Sequence, residues 1–363
     1  MHLDQQNAGE RLKVIADQLA EEITTRQYER QPDLEQRFGP SGRARTKQDS
    51  LYHLRYLAQS VALESPLLFI NYVAWLKVLL VQYKITAEDL RINLNLMKEA
   101  ISVRVEQPER ELILSYLDMG LYHTRGEQSL PSFLQPQKPY FREADEYLKL
   151  LLDGERRKAS EFVLGLYKDG IPIHDIYLHI FQATQYEIGR LWQMGHITVA
   201  QEHYCTACTQ SIISQLYPQW IRAQNGKKRL VAVGVGEELH EIGLRMLADF
   251  FEMEGWNTIY LGSNMPVEGL VRHLKEQPAE LLAISITMTF HVSEVIRVIS
   301  SIRSHRELDS LRIMVGGMPF NIDTELWKKV GADGYAPDAK LALEVAERLV
   351  SEEGILKAGF PND

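Results

Sequence analysis

The chain of 363 residues is long enough for two or three domains, each with its own hydrophobic core. Its hydrophobic content of 45% and its charged content of 25% are ordinary for a soluble globular protein. A net charge of −9 argues against a nucleic-acid surface, so we expect no direct binding to DNA or RNA.

No apolar run in the sequence reaches the length of an uninterrupted membrane span. The longest candidate, residues 66–81, is broken by Asn71 and Lys77. The first residues lack the basic and apolar segments of a signal peptide. Cys205 and Cys208 form a single C-x-x-C pair within a helical pattern, which we interpret as two reduced helix residues. We therefore expect a cytoplasmic protein that does not associate with a membrane.

Residues 1–125 carry apolar side chains at helical spacing, separated by prolines and glycines, which predicts an all-helical N-terminal domain. His53 lies in this domain together with several aromatic residues, including Tyr56, Tyr72 and Trp75. These side chains either line a ligand pocket or form the core, and we favour the core. The domain is expected to sense a ligand or to bind a partner.

Residues 126–140 contain three prolines and little periodicity, which predicts a stiff, partly extended linker. A second helical block follows in residues 141–225, and short connections favour an up-down four-helix bundle. Its helices are predicted at about residues 142–153, 155–169, 173–194 and 199–223.

The last helix of the bundle is predicted to begin with a capping box formed by Thr198 and Gln201. The preceding turn brings four side chains to the same end of the bundle. These are Trp192, Val199, Glu202 and His203.

Residues 226–363 begin with the continuous apolar run 230–235, the pattern of a strand buried in a parallel sheet. A helical pattern starts near residue 241, so His240 is predicted on the loop at the carboxyl edge of the sheet, where such sheets bind ligands. Glu238 precedes His240 by two residues, and its carboxylate can accept a hydrogen bond from one imidazole nitrogen while the other faces outward. Carboxylates orient metal-bound histidines in this way. Gly243 completes the pattern Glu-x-His-x-x-Gly.

Two further motifs fall at the carboxyl ends of predicted strands. Ser285-x-Thr287 follows one strand, and Gly316-Gly317 follows the next. The three motifs together resemble the cobalamin-binding domain of methionine synthase and methylmalonyl mutase, with its Asp-x-His-x-x-Gly, Ser-x-Leu and Gly-Gly motifs. This sequence has Glu238 in place of the aspartate and Thr287 in place of the leucine.

The resemblance implies that His240 is the lower cobalt ligand and that the nucleotide tail of the cofactor runs past Ser285 and the glycines. The implied fold is multidomain: an all-α N-terminal domain, a four-helix bundle, and an α/β Rossmann-like (flavodoxin-like) parallel-sheet domain that binds cobalamin.

The spacing Trp192-x9-Glu202-His203 also resembles the bundle of the light-sensing, adenosylcobalamin-dependent regulators of the CarH type. That resemblance implies that Trp192 and Glu202, with Val199 beside them, enclose the adenosyl group. After light breaks the cobalt–carbon bond, His203 would become the upper ligand. The DNA-binding domain of that family is missing, and the helical domain stands in its place.

Our main hypothesis is therefore a photoreceptor that is not an enzyme. It would form a homo-oligomer whose assembly depends on light, with output passed to another protein in trans. The alternative is a corrinoid carrier protein of a methyltransferase system. A haem or other tetrapyrrole sensor is a third possibility, disfavoured by the complete cobalamin motifs. The layout also resembles photocobilins, which implies a second chromophore, biliverdin. It would be bound without a thioether because no cysteine precedes Cys205.

Overall fold

The computed structural model describes residues 2–126, 130–221, 226 and 228–351 of the chain. Within these residues the chain divides into two compact units. Unit 1 comprises the N-terminal helices up to residue 128 together with residues 288–293 and 318–329. Unit 2 comprises the remaining residues, and it holds both the bundle and the sheet. The predicted boundaries differ from this division because two short segments of the predicted sheet domain belong to unit 1.

Unit 1 confirms the prediction of an all-helical N-terminal region. Its N-terminal helices are α1 (His2–Arg30), α2 (Asp33–Phe38), α3 (Gly42–Ala62), α4 (Pro66–Leu79), α5 (Ala87–Arg104) and α6 (Glu109–His123). A 3-10 turn, Leu80–Tyr83, continues α4. Thr86 and Asp89 form a capping box at the start of α5. Helices α1 and α3 pack closely because Gly9 has no side chain, and a Cβ there would come within 2.5 Å of the Ala58 carbonyl oxygen.

Tyr56 and Tyr72 lie in the core of unit 1, as we favoured, and Trp75 packs against it, whereas Tyr52 and Tyr83 are exposed. Tyr56 and Tyr72 stack with their ring centroids 3.7 Å apart. The buried His53 forms a 2.7 Å hydrogen bond between Nδ1 and the Tyr72 hydroxyl. Phe290 packs edge-on against Tyr56. This contact attaches the segment 288–293 to unit 1.

One apolar stretch of unit 1 meets the criteria of length and composition for a membrane span. It is Pro66–Tyr83, with a mean hydropathy of 1.4, and a third of it is buried inside the fold. The core helix of a soluble protein meets the same criteria, and Phe69 and Val73 of this stretch are fully buried in the core of unit 1.

The bundle of unit 2 follows the predicted helices, with one interruption. Its segments are α7 (Phe141–Leu152), α8 (Arg156–Lys168), α9 (Ile173–Asp175), a π-helix (Ile176–Gln182), α10 (Ala183–Gln193) and α11 (Val199–Trp220). The third predicted helix thus contains a π-helical segment, which hydrophobic periodicity alone does not reveal.

Residues 130–140 of the predicted linker contain no helix or strand, but they pack against the bundle. Leu134 is buried in the bundle core, whereas Phe133 is exposed. The amide of Phe133 donates to Glu187 Oε2 at 2.9 Å, and Arg190 donates to the Leu130 carbonyl at 3.2 Å. This segment is therefore part of unit 2. The neighbouring residues 127–129 of the predicted linker, and 222–225 at the end of the predicted bundle, lie outside the described residues.

The sheet of unit 2 is parallel and flavodoxin-like, as predicted. Its strands are β1 (Arg229–Gly234), β2 (Asn257–Tyr260), β3 (Leu281–Ser285), β4 (Arg312–Gly316) and β5 (Gly334–Tyr335), in the order β2-β1-β3-β4-β5. The helices of this part of the chain are α12 (Ile242–Met253), α13 (Val267–Glu276), α14 (Val292–Arg303), α15 (Met318–Ile322), α16 (Leu326–Lys329) and α17 (Ala339–Val350). The strand order reverses between β1 and β3, the point where open parallel sheets bind ligands.

The bundle packs on α12, so bundle and sheet share one hydrophobic core. Met246 and Phe250 of α12 are buried among bundle side chains. Hydrogen bonds also cross the same interface, and one of them runs from Arg245 Nη2 to Ser214 Oγ at 3.1 Å. The Tyr177 hydroxyl donates to Asp249 Oδ2 and the Tyr217 hydroxyl donates to Glu252 Oε1, each at 2.8 Å. Unit 2 is therefore held together by apolar packing and by tyrosine–carboxylate bonds.

Candidate functional site at the carboxyl edge of the sheet

The loop after β1 is organised around the buried carboxylate of Glu238, which is only 1% exposed. Its Oε1 accepts hydrogen bonds from the backbone amides of Leu239 and His240 at 3.1 and 3.0 Å, and also contacts His240 Nδ1. Its Oε2 accepts from the amide of Thr287 at 2.6 Å, on the loop after β3. One carboxylate thus ties together the two loops at the switch point. The sequence predicted the contact with the imidazole but not the bond to Thr287.

His240 presents its free ring nitrogen to solvent. Its side chain is 59% exposed, and Nε2 has no hydrogen-bond partner among the described residues. The hydrogen bond that His240 donates to Glu238 raises the pKa of the imidazole, and the charge of Glu202 acts in the same direction, while partial burial opposes them. The arrangement is the one predicted: a braced, outward-facing imidazole on the first loop of the sheet.

Three small residues form a row across the carboxyl edge of the sheet. Gly234 pairs with Ser285, and Ser285 pairs with Gly316, on the adjacent strands β1, β3 and β4. The partly buried Ser285 hydroxyl forms no hydrogen bond to any residue in the described ranges. An unpaired hydroxyl of this kind is available to a ligand.

Gly317 has a structural role that the sequence did not indicate. Its φ is +98°, and a Cβ at this position would come within 2.0 Å of the Ile286 carbonyl oxygen. The backbones of two loops meet here, so the fold itself requires glycine. A Cβ on Gly316 would lie 3.1 Å from the Ala336 carbonyl oxygen, which is also a tight approach. The paired glycines therefore have a structural explanation independent of any cofactor tail.

The end of the bundle carries the four side chains predicted there. The capping box is confirmed, with Gln201 N donating to Thr198 Oγ1 at 3.2 Å. Glu202 Oε2 lies 2.7 Å from His203 Nδ1, and Glu202 Oε1 accepts from the Thr206 hydroxyl at 3.0 Å. The side chain of His203 is 75% exposed.

The other two predicted side chains of the bundle end differ in exposure. Trp192 is partly buried against the bundle core, whereas Val199 is exposed. Because the charge of Glu202 raises the pKa of His240, this end of the bundle lies within electrostatic reach of the loop after β1.

The cysteines take no part in this site. Cys205 and Cys208 are free and buried in α11, and burial raises the pKa of the Cys205 thiol to about 11. Such thiols are inert compared with exposed, low-pKa cysteines. Within the described residues, no group of three or more His, Cys, Asp or Glu side chains forms a site for a free metal ion.

Comparisons with known proteins match both halves of unit 2. Two models described as B12 binding domain match residues 143–217 and 228–344. A corrinoid protein of Desulfitobacterium hafniense (strain Y51) is 22% identical, covering 57% of this chain and 97% of its own. The trimethylamine corrinoid protein of Methanosarcina barkeri is 26% identical, covering 53% and 89%. The solved monomethylamine corrinoid protein of Methanosarcina barkeri shares the fold with a TM-score of 0.52 at 19% identity, covering 58% and 99%.

The site residues fit a corrinoid. His240 offers one nitrogen to a metal while Glu238 holds the other, and Ser285 offers an unpaired hydroxyl. At Gly243, nothing lies within 4 Å of a Cβ position, so the start of α12 is open. The side chain of Leu239 is 81% exposed and supplies apolar surface beside the histidine. The bundle and the sheet of this chain are B12 binding domains, and the cofactor that they bind is a cobalamin or a related corrinoid.

Proposed function

We propose that the chain is a corrinoid carrier protein, which holds the cofactor between bundle and sheet and presents it to a partner enzyme. The observation that carries the proposal is the exposed His240 braced by the buried Glu238, on a scaffold shared with amine-specific corrinoid proteins. The comparisons favour this alternative over the light sensor. When bound, a corrinoid supplies a cobalt ion that carries an alkyl group. The chain would not be an enzyme by itself.

In this role each residue has a physical task. Glu238 orients the imidazole of His240 and increases the electron density on its free nitrogen, the atom that would serve as the lower ligand. Ser285 would bind the nucleotide tail through its unpaired hydroxyl. Glu238 accepts hydrogen bonds from the loops after β1 and β3. These bonds hold His240 and Ser285 in place, because moving either loop would leave the buried carboxylate without a donor.

A second candidate function is the adenosylcobalamin-dependent light sensor. The observation that favours it is the exposed His203, paired with Glu202 at a bundle end that also holds Trp192. In this candidate, Trp192 and Glu202 would enclose the adenosyl group, with Val199 beside them, and His203 would move onto the upper face after light. The Desulfitobacterium protein aligns with 57% of this chain, so the other 43% has no counterpart in it.

One experiment separates the two candidates. The full chain is loaded in the dark with adenosylcobalamin or methylcobalamin, and visible spectra are recorded before and after green light. A light sensor would bind the adenosyl form preferentially and give a stable photoproduct that the His203→Ala variant fails to hold. The matched control is His196→Ala, because His196 is also exposed and lies near the same bundle end. A carrier would bind both forms, and His203→Ala would then leave the photoproduct unchanged.

The remaining expectations are proposals, and all but the cytoplasmic location follow from the light-sensing candidate. They are a homo-oligomer whose assembly changes with light, output to a protein in trans, a cytoplasmic location and a non-covalent biliverdin in the N-terminal region. Size-exclusion chromatography in dark and light tests the assembly. An absorption spectrum of protein produced with biliverdin tests the second chromophore, and a lack of absorbance beyond that of cobalamin would refute it.

A further inference from the structure

Unit 1 contains a half-open cavity that the corrinoid site does not use. Its volume is about 40 Å³, enough for about three water molecules or for a small ligand. It is lined by Gln27, Leu34, Phe38, Thr46, Asp49, His53, Leu80, Ile85, Asp89, Leu90 and Asn93. The lining therefore combines an apolar wall with several polar side chains.

Asn93, one of the residues that line the cavity, carries an unpaired amide oxygen. Asn93 is only 5% exposed, and its Nδ2 donates to Gln27 Oε1 at 2.7 Å and to Ser50 Oγ at 2.9 Å. These two bonds hold the amide in one orientation. Its Oδ1 is buried and accepts no hydrogen bond. A buried acceptor without a donor is unfavourable, so this atom favours a ligand that brings an N–H or O–H group.

A carboxylate without a hydrogen-bond partner adds negative charge to the same cavity. Asp49 is half-buried, and within the part of the chain that the structure describes it forms no hydrogen bond or ion pair. Burial raises the pKa of Asp49 to about 6, against the charge of the exposed Arg45, which leaves it mostly ionised at neutral pH. His53 lies one turn further along α3, and burial lowers its pKa to about 3, so it is neutral and does not offset this charge.

The other acid of the cavity is already satisfied. Asp89 accepts two hydrogen bonds from Arg37, at 3.1 and 2.7 Å, and one from Gln31 at 2.7 Å. Arg37 is therefore committed to Asp89. Asn93 Oδ1 and the Asp49 carboxylate, the two groups without partners described above, are both hydrogen-bond acceptors, and Asp49 carries negative charge.

We propose that this cavity binds a small organic ammonium ion, whose N–H groups donate to Asn93 Oδ1 and to the Asp49 carboxylate. The short alkyl part of the ligand would contact the apolar wall, which includes Leu80 and Leu90. A carboxylate or phosphate of the same size would be excluded, because it brings no donor for Asn93 and would be repelled by Asp49. This site is independent of the corrinoid function.

The test is isothermal titration of the full chain with methylammonium and n-propylammonium chloride at constant ionic strength. Sodium propionate serves as the ligand of opposite charge and n-propanol as the neutral one. We expect ammonium binding at millimolar concentrations, none with propionate, and weaker binding of propanol. Asp49→Asn should weaken ammonium binding at least tenfold. Asp17→Asn, a matched change at an exposed position of α1, should leave it unchanged.

A second variant distinguishes a loss of ligand binding from a loss of folding. Thr46→Leu narrows the partly exposed side of the cavity without removing any member of the buried polar network, and it should also weaken ammonium binding. Each variant's melting temperature is measured with and without ligand, because a ligand of the folded state raises it. Absence of ammonium binding to the wild-type chain, equal binding of propionate, or full ammonium affinity in Asp49→Asn would each overturn the proposal.

Discussion

Replacing Asp249 with asparagine should stabilise the protein at alkaline pH, although it removes a charged residue from the interface between bundle and sheet. Asp249 is 7% exposed and accepts one hydrogen bond from the buried Tyr177. Burial raises the pKa of its carboxyl group from 3.8 to about 6, against the opposing effects of the Tyr177 hydrogen bond and of Arg245. Ionised Asp249 is therefore less favourable in the folded protein than in the unfolded chain.

The magnitude follows from this pKa shift. A rise of about 2 pH units corresponds to about 3 kcal/mol. Because the folded-state pKa is the higher one, the stabilising contribution of this group is present below the unfolded pKa and is lost as pH rises through about 6. The asparagine of the variant cannot ionise, and its amide oxygen can still accept from Tyr177. The Asp249→Asn variant should therefore match the wild-type chain near pH 4 and exceed its stability by up to about 3 kcal/mol near pH 8.

The assay is urea denaturation of both proteins across this pH range. Tyr177→Phe should have the opposite effect, with a loss of about 1–3 kcal/mol that is larger near pH 8, because it leaves the buried carboxylate without its donor. Asp169→Asn, at an exposed position, is the control and should show no pH-dependent difference. If Asp249→Asn destabilises the protein equally at both pH values, the carboxylate is a net stabilising group and this reasoning is refuted.

Three further substitutions test the corrinoid site. His240→Ala should weaken corrinoid binding or change the visible spectrum to that of a cofactor without its lower base; wild-type affinity with an unchanged spectrum would exclude His240 as the ligand. Trp192→Ala should reduce any preference for adenosylcobalamin over methylcobalamin, because apolar surface at the bundle end is lost; an unchanged preference would assign Trp192 to the bundle core. Gly317→Ala should lower stability by more than about 1 kcal/mol in thermal unfolding, because its Cβ would collide with Ile286 at a positive φ. A wild-type melting temperature would contradict that assignment.

The sequence alone predicted the helical N-terminal region, the bundle and the three strands that carry the site motifs, but not β2, β5 or the π-helix. The apolar run 230–235 indicated a buried strand because it is short, rich in β-branched residues and contains a glycine near its end. The capping box of Thr198 was readable because both partners lie three residues apart on the chain. The pairing of Glu238 with His240 is likewise local, since two residues separate them. Local spacing therefore specified the parts of the site that depend on neighbouring residues.

Contacts between residues distant in sequence required the tertiary structure. The bond from Glu238 to the amide of Thr287 joins residues 49 positions apart, and no periodicity encodes such a pairing. The collision that makes glycine necessary at position 317 depends on how the loops after β3 and β4 meet in space. The unpaired oxygen of Asn93 was hidden for the same reason, because only the packing of α1, α3 and α5 determines which of its hydrogen bonds form. Sequence patterns record local preferences, whereas hydrogen-bond satisfaction is a property of the whole packed fold.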